Sequence, residues 1–254
     1  MMKFLEALLP KIYITLVPTL TGTLLYGELR KNSKTLKRFD QQLFEQKSAL
    51  FEAVVVLKKE SSLHYIAFLE SEAEHGLLGV ITEDHSSIER VRVANAFELY
   101  MRKDDLHARQ QEFKTIGLDL IFSPFSVLYN FYEERITTHD GLYLLIEGTS
   151  ITSAVIKGGV MLFSAQLFMQ TSSQLLEQRI TTDDYVEKIQ VSIKAFYESK
   201  VDETMFIEKL FIADAIGFDT QLENQLEETL FVEVHKQNIN LAHELVCLSE
   251  KELV

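Results

Sequence analysis

The feature that most constrains this chain is a strand-turn-strand pattern that occurs twice, 130 residues apart. The clearer copy covers residues 141–167, GLYLLIEGTSITSAVIKGGVMLFSAQL, and has three apolar runs separated by a Gly-Thr-Ser turn and a Gly-Gly turn. The weaker copy covers residues 11–30, KIYITLVPTLTGTLLYGELR, and its Tyr13 aligns with Tyr143. A chain that begins each half with the same unit is predicted to be a duplicated fold.

Composition limits the classes of function. The chain has 254 residues, 46% of them hydrophobic, which is enough for one large core or two medium ones. Its net charge of −13 argues against a nucleic-acid-binding protein, which needs a basic surface to meet phosphates, and against direct docking on anionic lipid. We therefore expect no nucleic-acid partner.

The N-terminal segment 4–26 is apolar enough to be confused with a membrane-spanning helix. Pro10, Lys11, Pro18 and Gly22 interrupt it, whereas a spanning helix needs about 20 mostly apolar residues without such breaks. Two strands around a turn explain the same residues better, because Thr, Val, Ile and Tyr favour a pleated surface. We expect no direct membrane insertion.

Strands and helices are predicted to alternate along the rest of the chain, in the same order in both halves. Predicted strands lie near 12–18, 22–29, 35–39, 53–57, 65–69, 97–101, 118–122, 142–148, 151–157, 160–168, 206–213 and 230–235. Predicted helices begin at Asp104 or Asp105, Pro124, Thr181, Asp219 and Leu241, and residues 40–50 are a short helix or a loop. This order indicates an α/β protein with mixed sheets. A polar join at 136–140 predicts a first lobe of residues 1–136 and a second of residues 137–254.

Few side chains suggest chemistry of their own. Cys247 is the single cysteine, so the chain has no intramolecular disulfide; we expect a buried, inert thiol in a reducing cytoplasm, with a reactive thiol as the alternative. The histidines show no metal-ligand spacing, which predicts no metal site. Glu70, Glu72 and Glu74 are interpreted as a solvated hairpin face.

Three stretches carry a resemblance to a known family. They are residues 112–119 (EFKTIGLD) with 123–128 (SPFSVL), residues 144–166, and residues 207–234. In order and spacing they resemble the actin-like fold, in which two ribonuclease-H-like lobes, each a mixed sheet flanked by helices, face each other across a nucleotide cleft. More narrowly, they resemble the PilM protein of type IV pilus assembly and the cytoplasmic domain of GspL of type II secretion, a family that also serves competence systems.

The resemblance places a degenerate nucleotide cleft at Gly148, Thr149, Ser150 and Gly217. The family pattern ends a strand with Asp-x-Gly, but Ile146 stands where the acidic residue belongs, and Glu147 is one position away on the opposite face of the strand. Thr149 and Ser150 could hold an anion through their hydroxyl groups, although such residues are also ordinary turn formers.

The other two parts of the pattern are altered as well. The first-lobe turn contains Pro18, which donates no amide, and the glycine pair against which adenine packs reads Asp214-Ala215-Ile216-Gly217. We therefore expect neither ATP nor Mg²⁺ as a cofactor and assign no catalytic residue.

The function that the resemblance implies is that of a non-catalytic, cytoplasmic scaffold of a pilus, secretion or DNA-uptake machine, held peripherally at the inner membrane by its partners. The expected partner is the cytoplasmic tail of a single-span inner-membrane assembly protein similar to PilN, with the assembly ATPase or platform protein as further partners. Tyr65, Phe68 and Tyr100 are the candidate partner-binding residues, and ordinary core packing is the alternative for each. Two other functions stay open: an actin-like ATPase or kinase with a divergent nucleotide site, and an unrelated α/β binding domain.

Overall fold

The computed structural model describes residues 9–73, 75–77, 86–93, 97–169, 181–218 and 220–253, without the side chains of residues 77, 92 and 93. The chain forms two compact units, each assembled from several segments. The first unit contains residues 1–71, 104–123 and 240–254, and the second contains residues 72–103 and 124–239.

The described residues form strands and helices in alternation. The strands are β1 (Lys11–Thr19), β2 (Gly22–Lys31), β3 (Lys34–Phe44), β4 (Leu63–Leu69), β5 (His75–Leu77), β6 (Ile88–Val93), β7 (Phe97–Arg102), β8 (Leu120–Phe122), β9 (Gly141–Ile146), β10 (Ser150–Lys157), β11 (Val160–Phe168), β12 (Lys209–Asp214) and β13 (Glu233–Asn238). The helices are α1 (Lys47–Lys58), α2 (Lys103–Glu112), α3 (Pro124–Ile136), α4 (Thr182–Ser199), α5 (Thr220–Leu230) and α6 (Leu241–Glu252).

The two large sheets have the same topology, which confirms the predicted duplication. The first sheet has the order β3-β2-β1-β4-β8 and the second has the order β11-β10-β9-β12-β13. In each sheet the first three strands along the chain are antiparallel neighbours, and the next two strands are added in parallel. Tyr13 and Tyr143 occupy equivalent positions, because the first pairs with Tyr65 of β4 and the second with Phe211 of β12.

The last helix of each predicted lobe packs on the other half's sheet. Helix α6, at the end of the chain, contacts β1, β2 and β4 of the first unit, and the Thr15 hydroxyl donates to the Ala242 carbonyl of α6 at 3.1 Å. Helix α3, at the end of the first half, contacts β9 and β10 of the second unit. Each compact unit is thus assembled from several segments of the chain. The sequence analysis instead predicted a single boundary between residues 136 and 137, and that lobe boundary stays a prediction.

A third, smaller sheet belongs to the second unit and has the order β5-β7-β6. Leu99 of β7 and Phe125 of α3 form its buried cluster. Phe97 meets Tyr129 of α3 edge to face, with ring centroids 5.3 Å apart. This sheet is therefore fixed to the second unit by aromatic contacts with α3.

One predicted element is wrong in type. Residues 53–57 were expected to form a buried strand, but they belong to helix α1, which turns Leu50 and Val54 into the core and leaves Val55 and Val56 exposed. Four-residue spacing of the buried positions is the helical period. The sequence also missed strands β5 and β6, and residues 40–44 continue strand β3 where a short helix or a loop was expected. Strand ends shift near residues 209 and 233, and the predicted helix start at Asp219 lies outside the described residues.

The N-terminal apolar segment is strand where it is described. Residues 11–30 form β1 and β2, as the interrupted pattern predicted. Within the described ranges, no helix has the length and apolarity needed to cross a bilayer.

Candidate functional site

The turn between β9 and β10 contains the predicted anion-binding residues and is closed by its own hydrogen bonds. The Glu147 N–H donates to the Ser150 carbonyl at 2.9 Å, and the Ser150 hydroxyl donates to the Glu147 carboxylate at 2.8 Å. Both residues are buried, whereas Gly148 and Thr149 are half-buried. The Thr149 carbonyl accepts from the Met169 N–H at 2.9 Å. The Ser150 hydroxyl is thus already engaged by a carboxylate of the same turn.

A second turn follows β12 and is organised by one buried carboxylate. Asp214 is 1% exposed, and its Oδ1 atom accepts from the N–H groups of Ile216 and Gly217, each at 2.9 Å. Its Oδ2 atom accepts from the Phe218 N–H at 2.7 Å. Successive amides that converge on one point are a typical anion-binding arrangement. Here the anion is the side chain of Asp214.

Lys236 of β13 adds a cation to this turn. Its Nζ atom lies 3.8 Å from Asp214 Oδ2 and donates to the Phe218 carbonyl at 2.6 Å. Gly217 has a φ of +81°, a conformation that glycine adopts at little cost, and this lets its N–H point at Asp214. The charge and the amides of the turn are therefore matched within the chain.

The two turns lie at the same edge of the second sheet. Strands β9 and β12 are parallel, with Ile146 opposite Asp214, and the Ala215 N–H donates to the Ile146 carbonyl at 3.0 Å. The structure thus brings Gly148, Thr149 and Ser150 to the edge that also carries Gly217. Ile146 itself is fully buried, so the position that the family pattern reserves for an acid belongs to the core.

The corresponding edge of the first sheet also carries a paired carboxylate. Glu70 follows β4 and is 1% exposed, and Arg109 of α2 binds it with Nε at 2.6 Å and Nη2 at 3.2 Å. The interpretation of Glu70 as part of a solvated face is wrong. In the turn between β1 and β2, Pro18 lacks an N–H and the Thr19 hydroxyl donates to the Gly22 carbonyl at 3.0 Å.

Sequence reasoning missed the roles of Asp214, Glu70 and Arg109. Asp214 had a local signal, since Asp before Ala-Ile-Gly can bond the backbone amides that follow it. Glu70 and Arg109 are 39 residues apart, and only the packing of α2 beside β4 brings them together.

The three candidate partner-binding residues, Tyr65, Phe68 and Tyr100, do not form one exposed surface. Phe68 is 1% exposed and packs against Phe113 with ring centroids 5.0 Å apart, so its interpretation as an exposed groove residue is wrong. Tyr65 is half-buried and stacks on Tyr13 at 5.8 Å.

Tyr100 is also half-buried, and it belongs to the second unit whereas Tyr65 and Phe68 belong to the first. Its ring lies against Gly76, where an added Cβ would come within 2.6 Å of the ring. A partner role for Tyr65 and Tyr100 stays a prediction.

Metal binding has no visible basis in the part of the chain that the structure describes. No group of three or more His, Cys, Asp or Glu side chains is placed there to hold a metal ion.

Comparison with known families matches two segments of the chain. Residues 9–129 match a domain of unknown function, DUF8569, and residues 181–254 match another, DUF8341. No curated protein matches the sequence.

Several solved structures resemble the fold. A protein from Bacteroides thetaiotaomicron, described as having an actin-like ATPase fold and unknown function, is 10% identical with a TM-score of 0.61, covering 98% of this chain and 99% of that one. The PilM-PilN type IV pilus biogenesis complex is 13% identical with a TM-score of 0.49, covering 89% of this chain and 88% of that one. The ethanolamine utilization protein EutJ from Carboxydothermus hydrogenoformans is 10% identical with a TM-score of 0.48, covering 91% and 88%.

The predicted fold class is confirmed. The chain has the actin-like fold, an α/β architecture of duplicated mixed sheets flanked by helices. Because the identities are low, the similarity concerns the fold alone. The narrower resemblance to PilM and to GspL stays a prediction.

Proposed function

We propose that this actin-like chain is a non-catalytic scaffold that binds other proteins. The observation that carries the proposal is the Asp214 carboxylate, which accepts from the N–H groups of Ile216, Gly217 and Phe218. An external phosphate at this turn would have to displace a buried carboxylate that already takes up the amides, and it would meet a chain of net charge −13.

The neighbouring turn supports the same conclusion. Glu147 accepts the Ser150 hydroxyl and is buried beside Gly148. A second carboxylate at this edge raises the electrostatic cost of bringing in a triphosphate, while the Ile146 side chain has no oxygen to offer a metal ion. Both features support a turn that does not bind a nucleotide.

The proposed partner comes from the sequence resemblance. A scaffold of this kind would capture the cytoplasmic tail of a single-span inner-membrane assembly protein, similar to PilN, and meet the assembly ATPase or platform protein of a pilus, secretion or DNA-uptake machine. The proposed location is cytoplasmic and peripheral at the inner membrane. A disordered tail would dock in a groove or add a strand to a sheet edge, with micromolar or weaker affinity because ordering the tail costs entropy.

Strand β3 offers such an edge in the first unit. It is an 11-residue strand at the end of the first sheet, and nearly all of its side chains are exposed. Leu36 and Leu43 are 56% and 49% exposed, so an added strand could cover apolar surface as well as backbone groups.

Thermal unfolding in Mg-ATP tests the non-catalytic half of the proposal. A ligand present at its dissociation constant adds only about 0.4 kcal/mol, so the titration must extend to millimolar Mg-ATP, well above the dissociation constant being tested. We expect no saturable rise in Tm. A saturable rise that the Gly148→Val variant abolishes would favour the alternative, an actin-like ATPase or kinase.

Membrane fractionation tests the partner half. We expect the protein to co-fractionate with inner membranes only when a single-span membrane protein encoded beside it is present, and a peptide of that protein's tail to bind in titration. Membrane association that survives deletion of every such neighbour would contradict the proposal, as would a tail peptide that does not bind.

A further inference from the structure

A cluster of polar side chains lies between helix α6 and strand β2 in the first unit. His243 and Cys247 are four residues apart and share one face of α6. Glu28 and Arg30 are two residues apart and share one face of β2. This is a Cys-His-Glu arrangement, to which the proposed scaffold function assigns no role.

Glu28 fixes the protonation pattern of the cluster. It is fully buried, and it accepts from the Tyr26 hydroxyl at 2.5 Å, from Arg30 Nε at 2.8 Å and from the Thr35 hydroxyl at 3.1 Å. Burial alone would raise the pKa of Glu28, but the hydrogen bonds and the Arg30 charge outweigh it and lower the pKa to about 2. Glu28 is therefore an ionised carboxylate at neutral pH and can only accept hydrogen bonds.

The orientation of His243 follows from that charge. Its Nδ1 atom lies 2.7 Å from Glu28 Oε1, so Nδ1 must carry a hydrogen that it donates to the carboxylate. In the neutral imidazole the other nitrogen, Nε2, is then an acceptor. A carboxylate that holds an imidazole in this tautomer is the arrangement by which nucleophilic sites orient a general base.

The free lone pair of His243 faces the thiol. Nε2 lies 3.7 Å from Cys247 Sγ, and Arg30 Nη2 lies 3.8 Å from the same sulfur. His243 Nε2 is thus placed to accept the thiol proton, and Arg30 is placed to stabilise the negative charge that would develop on the sulfur. Cys247 is partly exposed, not buried as the sequence analysis expected.

The resting state of the thiol is neutral. Burial raises the pKa of Cys247, and the Arg30 charge opposes that rise without overcoming it. The proton therefore stays on the sulfur in the resting protein, which holds no thiolate-imidazolium ion pair. A general base must remove this proton when the sulfur attacks an electrophile.

We propose that Cys247 is a thiol-modification site at which His243, held by Glu28, activates the sulfur toward the disulfide of a small thiol. The Cys247 sulfur attacks one sulfur of the disulfide, the S–S bond of the reagent breaks, and a mixed disulfide forms on Cys247. The Cys247 proton passes to His243 Nε2 and then to the departing thiolate, which leaves as a thiol. Cys247 is oxidised and the small disulfide is reduced, so the reaction needs no further reactant.

The test uses the whole chain, where Cys247 is the only cysteine and reports alone. The second-order rate constant for mixed-disulfide formation with oxidised glutathione is measured by mass spectrometry from pH 6 to pH 9, natively and in guanidinium, where the unfolded chain supplies an unassisted thiol. We expect the native rate at about pH 7 to exceed the unfolded rate by about 100-fold, a typical contribution of general-base assistance. We also expect a flatter native pH profile, because an unassisted thiol loses about tenfold in rate per pH unit below its pKa.

His243→Gln removes the base, and His107→Gln, at an exposed position of α2, is the matched control. We expect His243→Gln to lose the native rate advantage while His107→Gln keeps it. If His243→Gln unfolds, the wild-type pH profile is the deciding measurement. The other charged and phenolic groups near Glu28, Arg30 and Cys247 are Tyr13, Tyr26, Arg38, Glu244 and Glu250. A native thiol that is no faster than the unfolded thiol, or a folded His243→Gln variant with the wild-type rate, overturns the proposal.

Discussion

The ring of Tyr143 stacks on the ring of Phe211 across the parallel strands β9 and β12, with centroids 4.6 Å apart and planes inclined by 17°. The equivalent pair in the first sheet is Tyr13 and Tyr65, which stack at 5.8 Å and 29°. Burial raises the pKa of both Tyr13 and Tyr143 to about 12, so neither ionises at physiological pH. The duplication thus preserves an aromatic pair between the first and fourth strands of both sheets.

Replacement of Phe211 by alanine is expected to destabilise the second unit by about 3–5 kcal/mol, because Phe211 is 2% exposed and its loss leaves a cavity beside Tyr143. The matched variant Tyr65→Ala should cost less, since Tyr65 is half-buried and solvent can fill the space. Urea unfolding followed by fluorescence and circular dichroism measures both. Equal losses in the free energy of unfolding for the two variants would show that the stacked pair of the second sheet stabilises the protein no more than the pair of the first sheet.

The two strand-turn-strand units that begin the halves could be predicted from the sequence, because they depend on residues that are close together in the chain. The residues Gly158 and Gly159 have φ values of +57° and +78°, so the turn between β10 and β11 needs glycine, and the apolar runs on either side have the length of strands. Residues 53–57 were misread because their β-branched side chains favour strands. Packing of Leu50 and Val54 into the first core overrides that preference.

The sequence indicated residues that the structure places at one edge of the second sheet, but it did not indicate the contacts that they make there. Gly148 and Gly217 were recognised by their place in the order of elements. What fills the site depends on contacts that spacing does not encode, such as Lys236 beside Asp214, or Arg109 on Glu70. Strand order brings these groups together, and the sequence pattern gives strand order only through the family resemblance.

Asp214→Ala is expected to lower the stability of the second unit by about 2–4 kcal/mol. The variant leaves the N–H groups of Ile216, Gly217 and Phe218 without their carboxylate, and water can reach only the more exposed ones. Asp140→Ala is the control, because the exposed Asp140 accepts a single backbone N–H, that of Gly158, at 2.7 Å. Thermal unfolding of both variants gives the comparison. A loss for Asp214→Ala no larger than that of the control would mean that the turn holds its shape without the carboxylate.

The start of α4 offers a smaller, local test. Asp184 Oδ2 accepts from the Thr181 N–H at 2.6 Å and from the Thr181 hydroxyl at 2.8 Å, and these bonds lower the pKa of Asp184. Asp184→Ala should cost about 1 kcal/mol in urea unfolding, as for other lost capping residues. Asp183→Ala removes an acid from the same turn, together with the hydrogen bond that Asp183 accepts from the Gln225 amide at 2.5 Å, and leaves Thr181 untouched; it should cost about half as much or less. The reverse ranking would assign the effect to helix charge or to the Gln225 contact and not to the cap.

Glu28 makes the stability of the first unit depend on pH in a defined direction. Its pKa falls from 4.5 to about 2 on folding. A carboxyl group whose pKa is lower in the folded state contributes stability that is complete above the unfolded pKa, and that stability is lost as the pH falls toward the folded pKa. The window for Glu28 is therefore about pH 4.5 down to about pH 2.

Glu28→Gln is expected to destabilise the first unit by about 2–3 kcal/mol at neutral pH, because it removes one of the two carboxylates that pair with the buried Arg30 guanidinium at 2.8 Å, and Glu250 is the other. Glu60→Gln is the control. It removes an exposed partner of Lys37, and such surface pairs contribute about 0–1 kcal/mol. Urea unfolding from pH 7 down to about pH 2 should show the difference between Glu28→Gln and wild type shrinking as Glu28 becomes protonated, while the control shows no such trend. A difference that stays constant across this range would mean that Glu28 contributes through packing and not through its charge.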